Sequence, residues 1–140
     1  ELSSLKSEIL YEDEIVLVKT IPLNHRIYTN GFLFTSNGNN QKSYAFCSDT
    51  IYDENLIDLI KFSDLLYHDS TFLDIDKDLA KKTKHSTSIQ AATIAKKASV
   101  KKLILGHYSS RYKKKIEFLN EAKTVFKNSY LSEDLKRFSL

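Results

Sequence analysis

The 140-residue sequence contains no methionine, only one cysteine and no long uninterrupted apolar segment. Because a translation product begins with Met and this chain begins with Glu1, we expect it to be a piece of a longer protein. The single cysteine, Cys47, excludes a disulfide framework within the chain and favours a reducing compartment, so we expect a cytoplasmic protein. No apolar run approaches the ~20 residues of a membrane-spanning helix, and no apolar signal segment is present.

Charge is distributed unevenly along the chain. The net charge is +3, but residues 1–76 hold 5 Lys and Arg against 13 Asp and Glu, whereas residues 77–140 hold 16 against 5. Basic clusters such as Lys113-Lys114-Lys115 could neutralise the phosphates of a nucleic acid. A solvated, lysine-rich surface explains the same pattern. Charge therefore suggests a nucleic-acid partner without establishing one.

The pattern of apolar residues is typical of a layered α/β domain. β-rich runs predict six strands, over residues 8–12, 14–23, 30–36, 43–48, 64–68 and 100–106. Strands come first and then alternate with helices, which favours one domain over residues 1–140 with helices packed on a sheet.

Three helices are expected between and after these strands. Leu56, Ile57 and Ile60 share one helical face behind Asp53, which we take as the N-cap. Thr87 and Gln90 have the spacing of a capping box, so the second helix is expected over 87–98. An amphipathic helix completes the set, with its apolar face formed by Ile116, Leu119, Ala122 and Phe126.

Chemistry-bearing side chains collect where predicted strands end. All four histidines, His25, His68, His85 and His107, lie at such junctions, and Asp49 follows another strand. A single histidine at a strand end is more often structural than functional. Four of them, together with an aspartate, predict a common site because neighbouring strands deliver side chains to one edge of a sheet. Imidazole and carboxylate ligands suit zinc or manganese.

Four segments of the chain resemble ribonuclease Z, a branch of the metallo-β-lactamase superfamily: PLNHRIYTNGF, FCSDTIYDENLIDLIKFSDLLYHDSTFL, TKHSTSIQAATIAKKASVKKLILGHYSSRY and FLNEAKTVF. The resemblance covers the C-terminal half of that family's domain. It implies half of an αββα sandwich, with a mixed sheet and helices packed on it. It also implies a metal-dependent endoribonuclease that removes 3′ trailers from precursor tRNA and works as a homodimer.

The resemblance assigns metal ligands to three residues. His25 would bind a first divalent ion, His107 a second, and Asp49 would bridge both. We expect zinc, with manganese as the alternative. Such a centre activates a hydroxide for in-line attack on the scissile phosphate. Attack without the ribose 2′-hydroxyl would leave a 3′-hydroxyl on the tRNA and a 5′-phosphate on the trailer.

The same resemblance makes His85 the group that protonates the leaving oxygen, oriented by Asp69. The family supplies this carboxylate from a His-Glu-Ala-Thr segment, whereas the chain has His68-Asp69-Ser70-Thr71. Because Asp is one methylene shorter than Glu, the pairing with His85 is expected to be longer or to be adjusted by the backbone. His68 is expected to shape the loop through hydrogen bonds and not to bind metal.

Ser109, Ser110 and Arg111 follow His107 directly and are expected to contact the RNA, since hydroxyls and a guanidinium can bind phosphate oxygens. The alternative for the two serines is that they cap a helix beginning beyond residue 112.

Two parts of the family pattern are missing. The His-x-His-x-Asp-His segment, which supplies further ligands, is absent, so we expect the chain by itself to be inactive and to need the N-terminal half of the same protein. Between Phe34 and Tyr44 the chain has only TSNGNNQKS, where ribonuclease Z commonly carries a long arm. Either the protein lacks the arm or disordered arm residues are missing from the sequence.

Two other functions remain open at this point. One is a different hydrolase of the metallo-β-lactamase fold, acting on a small ester or thioester; the basic C-terminal part argues against it. The other is a catalytically incomplete nucleic-acid-binding fragment.

Overall fold

A seven-stranded mixed sheet forms the centre of the computed structural model, which describes residues 6–140. The first five residues of the domain expected over 1–140 lie outside that range. Strands β1 to β4 pair antiparallel, and β4 to β7 pair parallel. Their order in space follows the chain: β1 (Ile9–Glu12), β2 (Val16–Leu23), β3 (Thr29–Ser36), β4 (Ser43–Cys47), β5 (Leu65–Asp69), β6 (Lys102–Gly106) and β7 (Ser129–Leu131).

Four helices accompany the sheet, and the first, third and fourth of them contribute residues to the core on one of its faces. They are α1 (Leu56–Ile60), α2 (Lys77–Thr83), α3 (Ser88–Lys97) and α4 (Ile116–Val125), and a 3₁₀ turn (Asp74–Asp76) precedes α2. Fully buried sheet residues such as Leu66 and Leu103 meet Ile94 and Phe118 from the helices. Within residues 6–140, no helix combines the length and the apolar character needed to cross a membrane.

Aromatic side chains line the opposite face of the sheet. The Phe34 and Tyr44 rings lie 5.8 Å apart across β3 and β4, and those of Phe46 and Tyr67 lie 4.8 Å apart across β4 and β5. Successive strand residues point to opposite faces, so these rings alternate with buried residues such as Ala45. The rings are half-buried, and they stand outside the core formed with the helices.

The expected fold class is confirmed: the sheet is mixed, and helices pack against it. All six expected strands are present, with ends displaced by at most two residues. β3 and β4 form a direct hairpin through residues 37–42, in which the Ser36 amide donates to the Lys42 carbonyl at 2.8 Å.

Three elements lack a sequence signal: the 3₁₀ turn, α2 and β7. In α2 the only apolar residues are the adjacent Leu79 and Ala80, which give no helical stripe. β7 has only three residues.

Two details of the helices differ from expectation. Asp53 is not the N-cap of α1: Asn55 occupies that position without a side-chain cap, and the Asp53 carboxylate accepts the Asn55 amide at 2.9 Å. In α4, the buried face is centred on Phe118 and Ala122, whereas Ile116 is 50% exposed. The expected apolar face therefore included the buried Ala122, but it omitted Phe118 and included the exposed Ile116.

Helix α3 has the expected capping box, so its N-cap residue, Thr87, makes a testable contribution to stability. The Thr87 hydroxyl accepts the Gln90 amide at 3.2 Å and donates to Asp74 at 2.9 Å, and the Gln90 side chain accepts the Thr87 amide at 3.0 Å. We expect Thr87→Ala to lower the free energy of unfolding by about 1–2 kcal/mol in urea titrations, since it removes both hydroxyl contacts. Thr87→Ser keeps the hydroxyl and should lose much less. Equal stability of the Ala variant and the parent would contradict this role.

Candidate metal centre

One edge of the sheet gathers the acidic and imidazole side chains. Asp49 lies two residues beyond β4, Asp69 ends β5, and His107 directly follows β6. Because β4, β5 and β6 are parallel, their carboxyl ends share this edge. Asp49 and His107 both adopt the left-handed conformation, each with φ of 61°. Asp and His are among the non-glycine residues that tolerate this conformation best, and it lets the chain turn sharply at the end of each strand.

Asp49 and His107 are in direct contact, with Oδ1 and Nε2 2.8 Å apart. On the other side of the ring, Nδ1 lies 2.8 Å from the Thr71 hydroxyl, which itself donates to Asp69 at 2.8 Å. Since that hydroxyl has one proton, it must accept from Nδ1–H of His107. Nε2 is then the atom that carries the electron pair facing the carboxylate. Two atoms that each offer an electron pair repel each other at this distance unless a cation, either a proton or a metal ion, lies between them.

His25 is oriented by the end of helix α2. Its Nδ1 lies 2.9 Å from the carbonyl of Lys84, the left-handed residue that follows α2. With Nδ1–H donating to this carbonyl, the electron pair is on Nε2, which has no hydrogen-bond partner among the described residues. The His25 ring lies 4.9 Å from that of His85, and His85 stacks on His107 at 5.1 Å. The three imidazoles therefore form a row along the edge.

His85 is bound to a fully buried carboxylate. Its Nδ1 lies 2.7 Å from Asp69 Oδ2, which also accepts the Thr50 amide at 3.1 Å. The hydrogen bond with Asp69 raises the pKa of His85 and outweighs the opposing effect of partial burial. Burial would raise the pKa of Asp69, but the hydrogen bond from His85 and those from Thr71 hold it below its usual value. The shorter Asp side chain has therefore not lengthened the pairing.

Some of the acidic and imidazole side chains at this edge could hold a divalent ion. Donor atoms of Asp49, Asp69, His85 and His107 all lie within 4.8 Å of one another, a set that omits His25 and includes the pair assigned to proton transfer. Although Asp69 lies close to the others, we do not assign it as a metal ligand, because both of its carboxylate oxygens already accept hydrogen bonds from protein groups. By contrast, Asp49 Oδ1 and His107 Nε2 face each other, and Nε2 of His25 has no hydrogen-bond partner among the described residues. Asp49 and His107 could therefore hold a metal ion, and His25 stays a predicted further ligand.

The segment after His107 lies beside this edge. The Ser109 amide donates to the Thr71 carbonyl at 3.1 Å, and the Arg111 guanidinium lies 5.6 Å from the centre of the Phe72 ring and 3.7 Å from Asp76. Arg111 is about half exposed, as is needed to reach a ligand. Helix α4 begins only at Ile116 and has no side-chain cap, so the alternative that Ser109 and Ser110 cap a helix is wrong.

His68 lies inside β5 and is fully buried, although its sequence position suggested a strand end. Its Nδ1 donates to the Asp69 carbonyl at 2.8 Å, and burial lowers the pKa of His68, so the ring is neutral. Sequence reasoning did not identify the partners that orient the site, namely the Thr71 hydroxyl and the Lys84 carbonyl. Thr71 had a weak signal in the polar run after His68, but a backbone carbonyl has none.

Sequence comparison connects the chain to named proteins. It is 39% identical to "Ribonuclease Z" of Azobacteroides pseudotrichonymphae over 158 residues, which cover 91% of the chain and 55% of the relative. It is also 39% identical to "Ribonuclease Z" of Cytophaga hutchinsonii, covering 94% of the chain and 57% of the relative. The chain thus spans slightly more than half the length of these curated relatives. No family model matches it.

Solved structures give the same relationship. Human tRNase Z, short form, superposes with a TM-score of 0.74 at 32% identity, covering 95% of this chain and 45% of the human one. A metallo-β-lactamase fold protein from Bacillus subtilis superposes with a TM-score of 0.79 at 21% identity, over 89% of this chain and 48% of the other. The second likeness concerns the fold alone, and it confirms the expected half of a metallo-β-lactamase-like domain.

The contact between His85 and Asp69 predicts how the imidazole titrates in metal-free protein. Because Asp69 raises the pKa of His85, the pair stabilises the fold fully below the unfolded value of about 6.5, and this contribution is lost as pH rises through the folded pKa. We expect Asp69→Asn to lower the pKa of His85, followed by NMR of the imidazole protons. Asp49→Asn is the matched control and should lower it less, since Asp49 lies 4.0 Å away instead of 2.7 Å. An unchanged pKa in the Asp69 variant would refute the pairing.

Proposed function

This chain is related to the ribonuclease Z proteins over slightly more than half of their length, and from that relationship we propose that the protein is a metal-dependent endoribonuclease that removes 3′ trailers from precursor tRNA. The observation that carries the proposal is the row of three imidazoles at one sheet edge, each bound through Nδ1 to a protein group. This arrangement leaves Nε2 of each ring directed away from its anchor and available for chemistry.

In this proposal His25, Asp49 and His107 would hold the metal ions, and Asp49 would contribute to the binding of both. When bound, the ions activate water and neutralise charge on the scissile phosphate. Zinc is the ion we propose first, because imidazole and carboxylate donors suit it, and manganese is the alternative. Three side chains are too few for two ions. We propose that the remaining ligands come from residues equivalent to the part of ribonuclease Z that this chain does not match, and that the 140 residues alone are inactive.

The aromatic face of the sheet supports this need for further residues. Phe34, Tyr44, Phe46 and Tyr67 form a half-buried aromatic surface on the side away from the helices. A contiguous aromatic surface of this kind is usually covered in a folded protein. We propose that the same additional residues cover it, and that the complete protein is a cytoplasmic homodimer.

His85 donates the proton that the leaving oxygen requires. Its Nδ1 is engaged with Asp69, so Nε2 is the atom that transfers the proton. The raised pKa of His85 keeps a larger fraction of the ring charged near neutral pH, as a general acid requires. Asp69 orients the ring and stabilises its charged form, while Ser109, Ser110 and Arg111 contact phosphates of the RNA.

A small ester or thioester is the second candidate substrate class. The exposed Arg111 beside the edge and the excess of 16 Lys and Arg over 5 Asp and Glu in residues 77–140 both favour a polyanion over such a substrate. Turnover of 3′-extended tRNA by the complete protein, compared with a panel of small esters and thioesters, separates the two. Hydrolysis of the esters without cleavage of the RNA would overturn the proposal.

Separate roles for His85 and the metal ligands lead to a specific prediction for the complete protein. We expect His85→Ala to retain bound metal but to lower turnover of 3′-extended tRNA by about 10²–10⁴-fold, the usual contribution of a general acid. Asp69→Ala should act in the same direction but less severely. His107→Ala is the matched comparison and should lose metal as well as activity. Elemental analysis beside the kinetics checks this division, and metal loss in the His85 variant would make His85 a ligand.

A further inference from the structure

The loop between β2 and β3 presents three exposed residues immediately after His25. Arg26 is exposed, and Ile27 and Tyr28 are 71% and 64% exposed, although apolar and aromatic side chains usually avoid such positions. None of the three is needed for the core: the buried residues flanking this loop are Leu23 and Gly31. Their exposure beside the proposed metal centre leaves them accessible to a ligand.

The loop is fixed in position by the end of helix α2. The Arg26 guanidinium donates to the Lys82 carbonyl at 3.2 Å, the Lys84 ammonium donates to the Asn24 side chain at 3.0 Å, and His25 binds the Lys84 carbonyl. These three contacts hold residues 24–26 against one helix terminus. A binding surface on this loop would therefore be largely preorganised.

Arg26 directly follows the proposed metal ligand His25. Like His25, it binds a carbonyl at the end of helix α2. Its one described hydrogen bond engages a single Nη atom, so most of its five N–H donors remain available. A guanidinium in this place can bind a phosphate next to the one being cleaved.

Tyr28 offers a flat surface two residues further along. Its hydroxyl accepts the Asn30 side chain at 2.9 Å, which restrains the ring while leaving it largely exposed. An exposed aromatic ring beside a cation is the combination by which proteins bind single-stranded nucleic acids: the ring stacks on a base and the cation binds the backbone.

We propose that Tyr28 stacks on an unpaired nucleobase flanking the scissile bond, while Arg26 binds the adjoining phosphate. This inference rests on the proposed function, since it assumes that the substrate is RNA. The loop would bind the substrate on the His25 side of the row of imidazoles, whereas Arg111 follows His107 at the other end of that row.

A fluorescent reporter tests the stacking directly, because these 140 residues contain no tryptophan. Tyr28→Trp is compared with Phe62→Trp in the complete protein, with the parent protein as the background signal. Phe62 is an equally good host: its ring is 64% exposed and has the Lys61 ammonium 5.5 Å from its centre. It precedes β5, at the opposite end of the parallel strands from the metal centre. The ligand is 3′-extended tRNA in a chelator, which prevents cleavage.

We expect the RNA to quench the indole at position 28 and to leave the one at position 62 nearly unchanged. Replacing the bases that flank the scissile bond by abasic sites should remove the quenching at position 28. Tyr28→Ala should weaken binding by about 5- to 150-fold, the usual loss for one stacked base, whereas Tyr28→Phe should bind as the parent does.

Three outcomes would overturn the inference: no quenching at position 28, equal quenching at both positions, or unchanged affinity of the Ala variant. These failures are distinguishable from a failure of the proposed function. If the parent protein binds and cleaves 3′-extended tRNA but Tyr28 proves indifferent, only the stacking role is wrong. If the parent neither binds nor cleaves it, the proposed function fails and the stacking role fails with it.

Discussion

The buried carboxylate of Asp69 connects nearly every segment that contributes to the catalytic edge. It receives the Thr50 amide from the loop after β4, the His85 ring from the loop before α3, and the amide and hydroxyl of Thr71. Through that hydroxyl it also determines which nitrogen of His107 carries the proton. A carboxylate with no solvent exposure is tolerable only when its oxygens are bonded, and here both are. The same bonds that keep this charge stable inside the protein therefore position His85 and, through Thr71, His107.

Three different anchors bind the three imidazoles through the same ring nitrogen. His25 is bound by the Lys84 carbonyl, His85 by a carboxylate and His107 by a hydroxyl, and in each case the anchored atom is Nδ1. The chemical nature of the anchor separates the roles that we propose. A carboxylate stabilises a charged imidazole and so suits proton transfer, whereas a carbonyl or hydroxyl that binds Nδ1 orients the ring so that Nε2 can bind a metal.

Most of the sheet could be predicted from the sequence, because short β-rich runs separated by polar turns have few alternative interpretations. The capping box at Thr87 and Gln90 was equally clear, since both partners lie within one turn of helix. The expectation for Asp53 was wrong because an aspartate ahead of an apolar run can also close a turn of its own, as it does here with Asn55.

The candidate site could be predicted only in part. Residue types and strand ends predicted a common site for the histidines and Asp49, and the family resemblance then assigned His25, Asp49 and His107 as ligands. The bonds that orient these side chains join residues as far apart as His25 and Lys84. No local pattern encodes such a contact. The left-handed conformation of Asp49 and His107 could not be predicted either, because neither residue is the glycine that usually adopts it.

The chemistry of the cleaved RNA ends tests the central claim most directly. If the sheet edge activates water with metal ions and His85 protonates the leaving oxygen, the complete protein should cut 3′-extended tRNA to give a 3′-hydroxyl on the tRNA and a 5′-phosphate on the trailer. Mass spectrometry of both fragments distinguishes these ends from any others. A 2′,3′-cyclic phosphate on the tRNA, with a 5′-hydroxyl on the trailer, would mean that the ribose hydroxyl is the nucleophile and would contradict the account.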